Sequence, residues 1–208
     1  ILPGDGVGPE VTAAAVAVLK EVGAHGGHDF RFSEHAIGGC AIDATGEPLP
    51  EATREACRNA DAVLLGAVGG PRWSDPDAPV RPEQGLLGLR AALGVYANVR
   101  PVRVHPQMAS RSPLKNERLD GVEFVVVREL TGGAYFGLKT RDQDSASDEC
   151  SYSVVEIERV PRRAFELASR RSSHLTSVAQ ANVPETSRLW PAPAERGPTD
   201  YPAVDPQH

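Results

Sequence analysis

The chain has 208 residues, enough for one large domain or two small ones and long enough to bury a sizeable core. Its 22 Lys and Arg against 28 Asp and Glu give a net charge of −6, which disfavours a nucleic-acid partner because phosphate binding needs a concentrated basic face. The longest unbroken apolar stretch, Ala13–Leu19, is far short of the ~20 residues of a membrane span.

No basic-then-apolar leader is visible, so a cytoplasmic location is expected. Cys40, Cys57 and Cys150 are odd in number and contain no CxxC pair, which argues against a disulfide framework or a zinc site. In chain order, Ile1–Pro3 runs into Gly4-Asp5-Gly6-Val7-Gly8-Pro9-Glu10. Val11, Val16, Val18, Leu19 and Val22 then fall on a broad apolar face, which predicts a helix over Pro9–Val22. Pro9 suits the first helical turn, where a missing N–H costs nothing. Phe30-Arg31-Phe32 alternates like a strand, and Gly38-Gly39 marks a turn. A helix is expected over Pro50–Asn59, a buried strand at Ala62–Leu65, a third helix over Pro82–Leu93 and a strand at Tyr96–Val104. Strand and helix in this alternation predict an α/β architecture with a substantially parallel sheet.

Beyond Pro101 the character changes. Val122–Val127, apolar and valine-rich apart from Glu123, is expected to be a buried strand. Leu130–Gly137 carries Gly132-Gly133 and aromatic residues, and with the polar stretch to residue 152 it suggests a hairpin or extended arm. Val154–Arg170 reads as a helix, although Pro161 inside it would cost ~3 kcal/mol or force a kink. Pro191, Pro193, Pro198, Pro202 and Pro206 predict a poorly ordered tail.

Gly4, Gly6 and Gly8 before a helix invite a dinucleotide reading, but the G-x-G-x-x-G spacing would need glycine where Pro9 stands. Two other readings remain open. The glycines can serve a tight strand-to-helix turn with positive φ, or the turn's amides can face a ligand at the helix N-terminus.

The Leu2–Glu10 stretch resembles the start of the β-decarboxylating dehydrogenases, a family that includes isocitrate, 3-isopropylmalate, homoisocitrate and tartrate dehydrogenases. Matching motifs follow in family order: Gly38-Gly39-Cys40-Ala41-Ile42-Asp43, Leu64–Pro71, Arg81–Arg90, Tyr96–Pro101 and Val127–Gly137. The resemblance implies an isocitrate/isopropylmalate dehydrogenase-like α/β fold outside the Rossmann class. It also implies NAD-dependent oxidative decarboxylation of a small 2-hydroxy dicarboxylate, with Mg2+ or Mn2+ as Lewis acid and a homodimer joined through the arm. The resemblance further implies 3-isopropylmalate, of leucine biosynthesis, as the substrate. Tartrate, malate or homoisocitrate is the alternative substrate.

By matching position, the resemblance implies that Arg90, Arg100 and Arg128 bind substrate carboxylates, for which planar guanidinium donors are suited. Tyr135 falls on the family's proton-donating tyrosine, Leu86 and Leu87 on its isopropyl-binding surface, and Glu83 near the nicotinamide. Taken alone, these residues would read as surface ion pairs, a half-buried aromatic and helix core; their co-linear placement supports the functional reading.

The chain also departs from the pattern. Gln180 stands where the family has its general-base lysine, and an amide cannot take up and release a proton near neutral pH. Ala179 replaces the neighbouring aspartate, whereas Asn182, matching a cofactor or substrate contact, is retained. No later metal-binding aspartate motif follows. Asp142, Asp144 and Asp148 lack the Gly and Glu of a calcium loop and read as a solvated acidic loop. The expectation is therefore a truncated or degenerate copy with an incomplete two-domain architecture. Residues 1–98 would form the front half of the first domain and residues 99–190 part of the second, with an arm at about 130–152. The stretch 191–208 would be a Pro-rich tail with little family character. A non-catalytic remnant, or a dimerisation partner for a family member, is the competing function.

Overall fold

The computed structural model describes residues 1–178, 183–190 and 201–207. The chain divides into two compact units, Ile1–Gly94 and Val95–His208. The boundary falls ahead of the one expected after residue 98 because the strand at Ala97–Arg103 pairs wholly within the second unit.

In the first unit, β1 (Leu2–Gly4) lies parallel to β2 (Leu65–Ala67), with Leu2 opposite Leu65 and Gly4 opposite Ala67. The second strand starts where the expected Ala62–Leu65 strand ends, because Gly66 and Ala67 are the residues small enough to lie against the opening turn. Between the strands run α1 (Gly8–Gly26), α2 (Gly39–Thr45) and α3 (Glu51–Asn59), and α4 (Pro82–Leu93) follows. Leu2, Ile37, Leu49, Cys57 and Leu89 form the buried core. Phe30–Phe32 is not part of a ladder. The residues that follow it lie beside Ile1, whose nitrogen donates to the Ser33 oxygen (2.6 Å) and whose oxygen accepts the His35 amide (3.0 Å). On α1 the buried positions are Gly8, Thr12 and Gly23, while Val11, Val18 and Val22 are exposed.

The glycine-rich opening is a packing device. Gly4 has φ +70°, and a Cβ there would lie 1.9 Å from the Ala67 oxygen; one at Gly8 would lie 2.0 Å from the Pro3 oxygen. Any side chain would push the start of α1 off the two strands. Asp5, only 3% exposed, fixes the same turn. Its carboxylate accepts the amides of Gly39 (2.7 Å), Cys40 (2.7 Å) and Gly69 (2.8 Å). One side chain thus satisfies amides at the start of α2 and at the turn beyond β2, where buried N–H groups would otherwise be unpaired.

In the second unit, β3 (Ala97–Arg103) and β4 (Glu123–Glu129) pair antiparallel from Ala97 opposite Glu129 to Arg103 opposite Glu123. The run expected to be a buried strand is buried on one face at most. Phe124 is 48% and Val126 43% exposed, while Glu129 is buried. The reason is that, among the described residues, α5 (Val154–Ser169) packs on β4 and covers one side of this two-stranded ribbon. The arm is a hairpin of β5 (Lys139–Arg141) and β6 (Ala146–Asp148). Its acidic cluster closes the turn. Asp142 accepts the amides of Asp144 (2.8 Å) and Ser145 (2.7 Å), and these bonds, the Asp144 amide foremost, hold its carboxyl below the usual value.

Helix α5 starts at a capping box. The Ser153 amide donates to the Glu156 carboxylate (2.8 Å), and the Glu156 amide donates to the Ser153 hydroxyl (3.3 Å). The helix continues unbroken through Pro161, whose ring is buried on the same side as Ile157, Ala164 and Phe165. Burial of that apolar face offsets the missing hydrogen bond. Then β7 (His174–Thr176) pairs parallel with β8 (Asp205–Gln207), after the short α6 (Glu185–Leu189). The expected disordered tail is therefore corrected at its far end. Val204 is 3% exposed beside Phe165, and Tyr201 stacks on Phe165 at 5.7 Å. Pro206 is tolerated because β8 is an edge strand. Residues 191–200 lie outside the described residues. The expected single, substantially parallel sheet is also corrected: the described strands form four two-stranded sheets, two parallel and two antiparallel.

Replacing Asp5 by Ala leaves three amides without their acceptor, at a cost of ~1–3 kcal/mol for each buried group left unsatisfied. Urea unfolding of Asp5→Ala is predicted to show a loss of about 3 kcal/mol or more. Asp5→Asn, which retains one acceptor oxygen, should lose less. An unchanged midpoint for Asp5→Ala would contradict the clamp.

Candidate active-site surfaces

In the first unit the expected site residues share one helix. Glu83, Leu86, Leu87 and Arg90 are spaced i, i+3, i+4, i+7 on α4 and so form one stripe. The adjoining side of the helix is pinned: Pro82, Gly85 and Leu89 are buried, and a Cβ at Gly85 would lie 2.4 Å from the Pro48 oxygen. Close backbone approach thus fixes the rotation of α4 and turns its Leu–Leu–Arg stripe away from the core. Leu86, Leu87 and Arg90 are half-buried and Glu83 is exposed. The Glu83 carboxylate lies over Gly69 (φ +93°), 2.9 Å from where a Cβ would stand, so that turn is bare backbone beneath an acceptor.

In the second unit the β3–β4 register brings two arginines together. Asn98 lies opposite Arg128 and Arg100 opposite Val126, so both arginines project from the face that also carries Val102 and Phe124. The Arg100 Nε–H donates to the Asn98 side-chain oxygen (2.5 Å), which orients its guanidinium. The Arg128 guanidinium lies 5.6 Å from the centre of the Tyr135 ring, and Tyr135 is 61% exposed. Two guanidinium forks and one phenol on a solvent-facing ribbon form a surface suited to a carboxylate ligand.

Tyr135 sits in a short 3-10 turn, Gly133–Tyr135, held from below. The Glu129 carboxylate accepts the amides of Thr131 (2.9 Å) and Gly132 (2.7 Å) and the Thr131 hydroxyl (3.0 Å). The Gly133 amide donates to the Ser151 oxygen (3.0 Å). Tyr152 packs over Gly132 and Gly133 beside an open cleft of about 400 Å³, and burial pushes its phenol up. Asp5, Glu129 and Tyr152 are the residues that sequence reading missed. The available signals were Glu129 at a strand end followed by Thr-Gly-Gly, and an aspartate inside a glycine-rich turn.

Gln180, Asn182 and Ala179 lie outside the described residues. Among the described residues no group of three or more His, Cys, Asp or Glu side chains could hold a metal ion. No helix among them is long and apolar enough to cross a membrane.

Comparison with known proteins agrees along the whole chain. The family model "Isocitrate/isopropylmalate dehydrogenase" matches residues 1–208, including the stretch after Pro191 that was expected to have little family character. A 3-isopropylmalate dehydrogenase of Anaeromyxobacter dehalogenans is 56% identical over 195 residues, covering 91% of this chain and 55% of that protein. The 3-isopropylmalate dehydrogenase of Bacillus subtilis is 49% identical over 214 residues, covering 100% of this chain and 59% of that protein. Among solved structures, a β-decarboxylating dehydrogenase from Thermococcus kodakarensis superposes with TM-score 0.72 at 32% identity, covering 99% of this chain and 55% of that one. Isocitrate dehydrogenase from Methylococcus capsulatus does so with TM-score 0.81 at 28% identity, covering 99% and 58%. The chain spans little more than half the length of the relatives it matches. With its motifs in family order and its fold shared, this chain belongs to the isocitrate/isopropylmalate dehydrogenase family.

Proposed function

We propose that the chain carries substrate-recognition surfaces for NAD-dependent oxidative decarboxylation of 3-isopropylmalate, a step of leucine biosynthesis in the cytoplasm. The observation that carries this reading is the placement of Arg100, Arg128 and Tyr135 on and beside one face of the β3–β4 ribbon. The two guanidinium groups bind a carboxylate, and Tyr135 holds its phenol proton beside them for delivery to the carbon that loses its carboxylate. The first unit carries its own surface on α4, where Arg90 has a guanidinium suited to a carboxylate and Leu86 and Leu87 have apolar surface suited to an isopropyl group. Their side chains are half-buried, and a ligand methyl group would remove their remaining apolar surface from water.

NAD, when bound, supplies the hydride acceptor for the C2 hydroxyl carbon; the exposed Glu83 carboxylate would accept a hydrogen bond from the nicotinamide carboxamide, and Asn182 would serve as a second contact. Mg2+ or Mn2+, the Lewis acid that the family resemblance implies, finds no donor set among the described residues. Assembly as a homodimer through the β5–β6 arm is part of the same proposal.

A second reading, binding without turnover by this chain alone, is favoured by Gln180, since an amide cannot act as the base that deprotonates the hydroxyl. Under this reading the chain incubated with 3-isopropylmalate, NAD and Mg2+ forms no NADH above the blank. Substrate-dependent NADH formation abolished by a chelator would overturn it.

Recognition itself is tested by titration calorimetry. The chain is predicted to bind 3-isopropylmalate more tightly than tartrate, and Arg100→Ala and Arg128→Ala are each predicted to weaken binding about tenfold, the loss of one charge-assisted pair. Affinity unaffected by either change would place the ligand elsewhere.

A further inference from the structure

We propose that Arg159 is a positioning residue that acts through Glu129 on the turn presenting Tyr135. The proposal rests on the reading of Tyr135 and Arg128 as substrate-facing groups.

Arg128 and Glu129 are neighbours on β4, and strand alternation sends them to opposite faces: Arg128 outward toward Tyr135, Glu129 inward. The Glu129 side chain is 4% exposed, so its charge needs a partner. Three of its bonds come from its own loop, from Thr131 N, Gly132 N and the Thr131 hydroxyl, and these set the path of the turn. The fourth comes from α5. Arg159 Nη2 donates to Glu129 Oε1 (2.9 Å) and to the Thr131 hydroxyl oxygen (2.5 Å). Arg159 therefore touches both the buried carboxylate and a residue that this carboxylate holds.

The same guanidinium stacks over Tyr96 at 4.7 Å, and the Tyr96 carbonyl accepts the Leu130 amide (2.8 Å). Thr131, which leads into the turn, and Tyr96, whose carbonyl holds the adjoining Leu130, thus both contact one side chain. Arg159 Nε is buried without a hydrogen-bond partner, so the Glu129, Thr131 and Tyr96 contacts hold the group where one of its own donors goes unmet. The turn is closely seated, since Gly133 has φ +72° and a Cβ there would lie 2.3 Å from the Tyr152 hydroxyl, so a shift of its backbone is passed on to Tyr135. Loss of Arg159 leaves a buried carboxylate unpaired, and relief comes by moving Glu129 toward water and with it the Thr131–Gly133 backbone. Tyr135 then leaves its place beside Arg128.

The test uses the full chain with ring-labelled tyrosine, the Tyr135 signal being assigned with Tyr135→Phe. Without ligand, Arg159→Ala is expected to shift and broaden the Tyr135 resonance, and Arg159→Lys to restore it in part. Arg163→Ala, which removes a solvent-exposed pair with Glu166 on the same helix, should leave it unchanged. Affinity for 3-isopropylmalate is expected to fall about fivefold in Arg159→Ala, with near-normal binding in Arg163→Ala. A folded Arg159→Ala whose Tyr135 resonance matches the parent overturns the proposal. If Arg159→Ala does not fold, Glu129→Gln replaces it, and an unmoved Tyr135 resonance there has the same meaning. A moved resonance in a chain whose parent does not bind 3-isopropylmalate supports the positioning role and refutes the substrate reading.

Discussion

A buried carboxylate at the end of a strand, facing successive backbone amides, is the interaction on which each unit depends. Such a group is costly to bury and becomes favourable only when each oxygen is met by donors. Asp5 meets this condition with amides from two distant segments, so β1, the start of α2 and the turn after β2 can close only together. Glu129 meets it with its own loop and with an arginine from α5. In both places the polar group is a hub for backbone that hydrophobic burial alone would leave in several arrangements.

Around these hubs, glycine determines which backbones touch. The Gly4–Gly8 turn lies against Pro3 and Ala67, and Gly85 lies against Pro48. These contacts fix the rotation of α1 and α4, and on α4 that rotation sets which side chains line the outer stripe. The chain from sequence to surface is short here. A missing Cβ permits the approach, the approach sets the helix phase, and the phase aligns Glu83, Leu86, Leu87 and Arg90.

Much of this was legible in the sequence. Pro82–Leu93 carries its proline start, its periodic face and its Gly94 stop, and it forms as expected. The Arg100 and Arg128 pairing could be foreseen as two strands but not as one face, because register depends on the loop between them. Solvent exposure of Phe124 and Val126 was hidden by the valine-rich run, which reads alike whether one side or both are covered. Pro206 misled because proline density was read as disorder, whereas an edge strand accepts it and Val204 and Tyr201 supply apolar anchors. The Asp5 and Glu129 clamps leave only a faint sequence signal, an aspartate in a glycine-rich turn and a glutamate before Thr-Gly-Gly, because most of their donors are main-chain amides, which every sequence has.

The central claim is that the β3–β4 face with Arg100, Arg128 and Tyr135 recognises a 2-hydroxy dicarboxylate. It is tested most directly by titrating the isotopically labelled chain with 3-isopropylmalate and following the amide and arginine side-chain resonances. Saturable shifts concentrated at Asn98, Arg100, Arg128 and Tyr135 are expected. Shifts confined to other segments, or none at ligand concentrations that saturate the calorimetric signal, would contradict it.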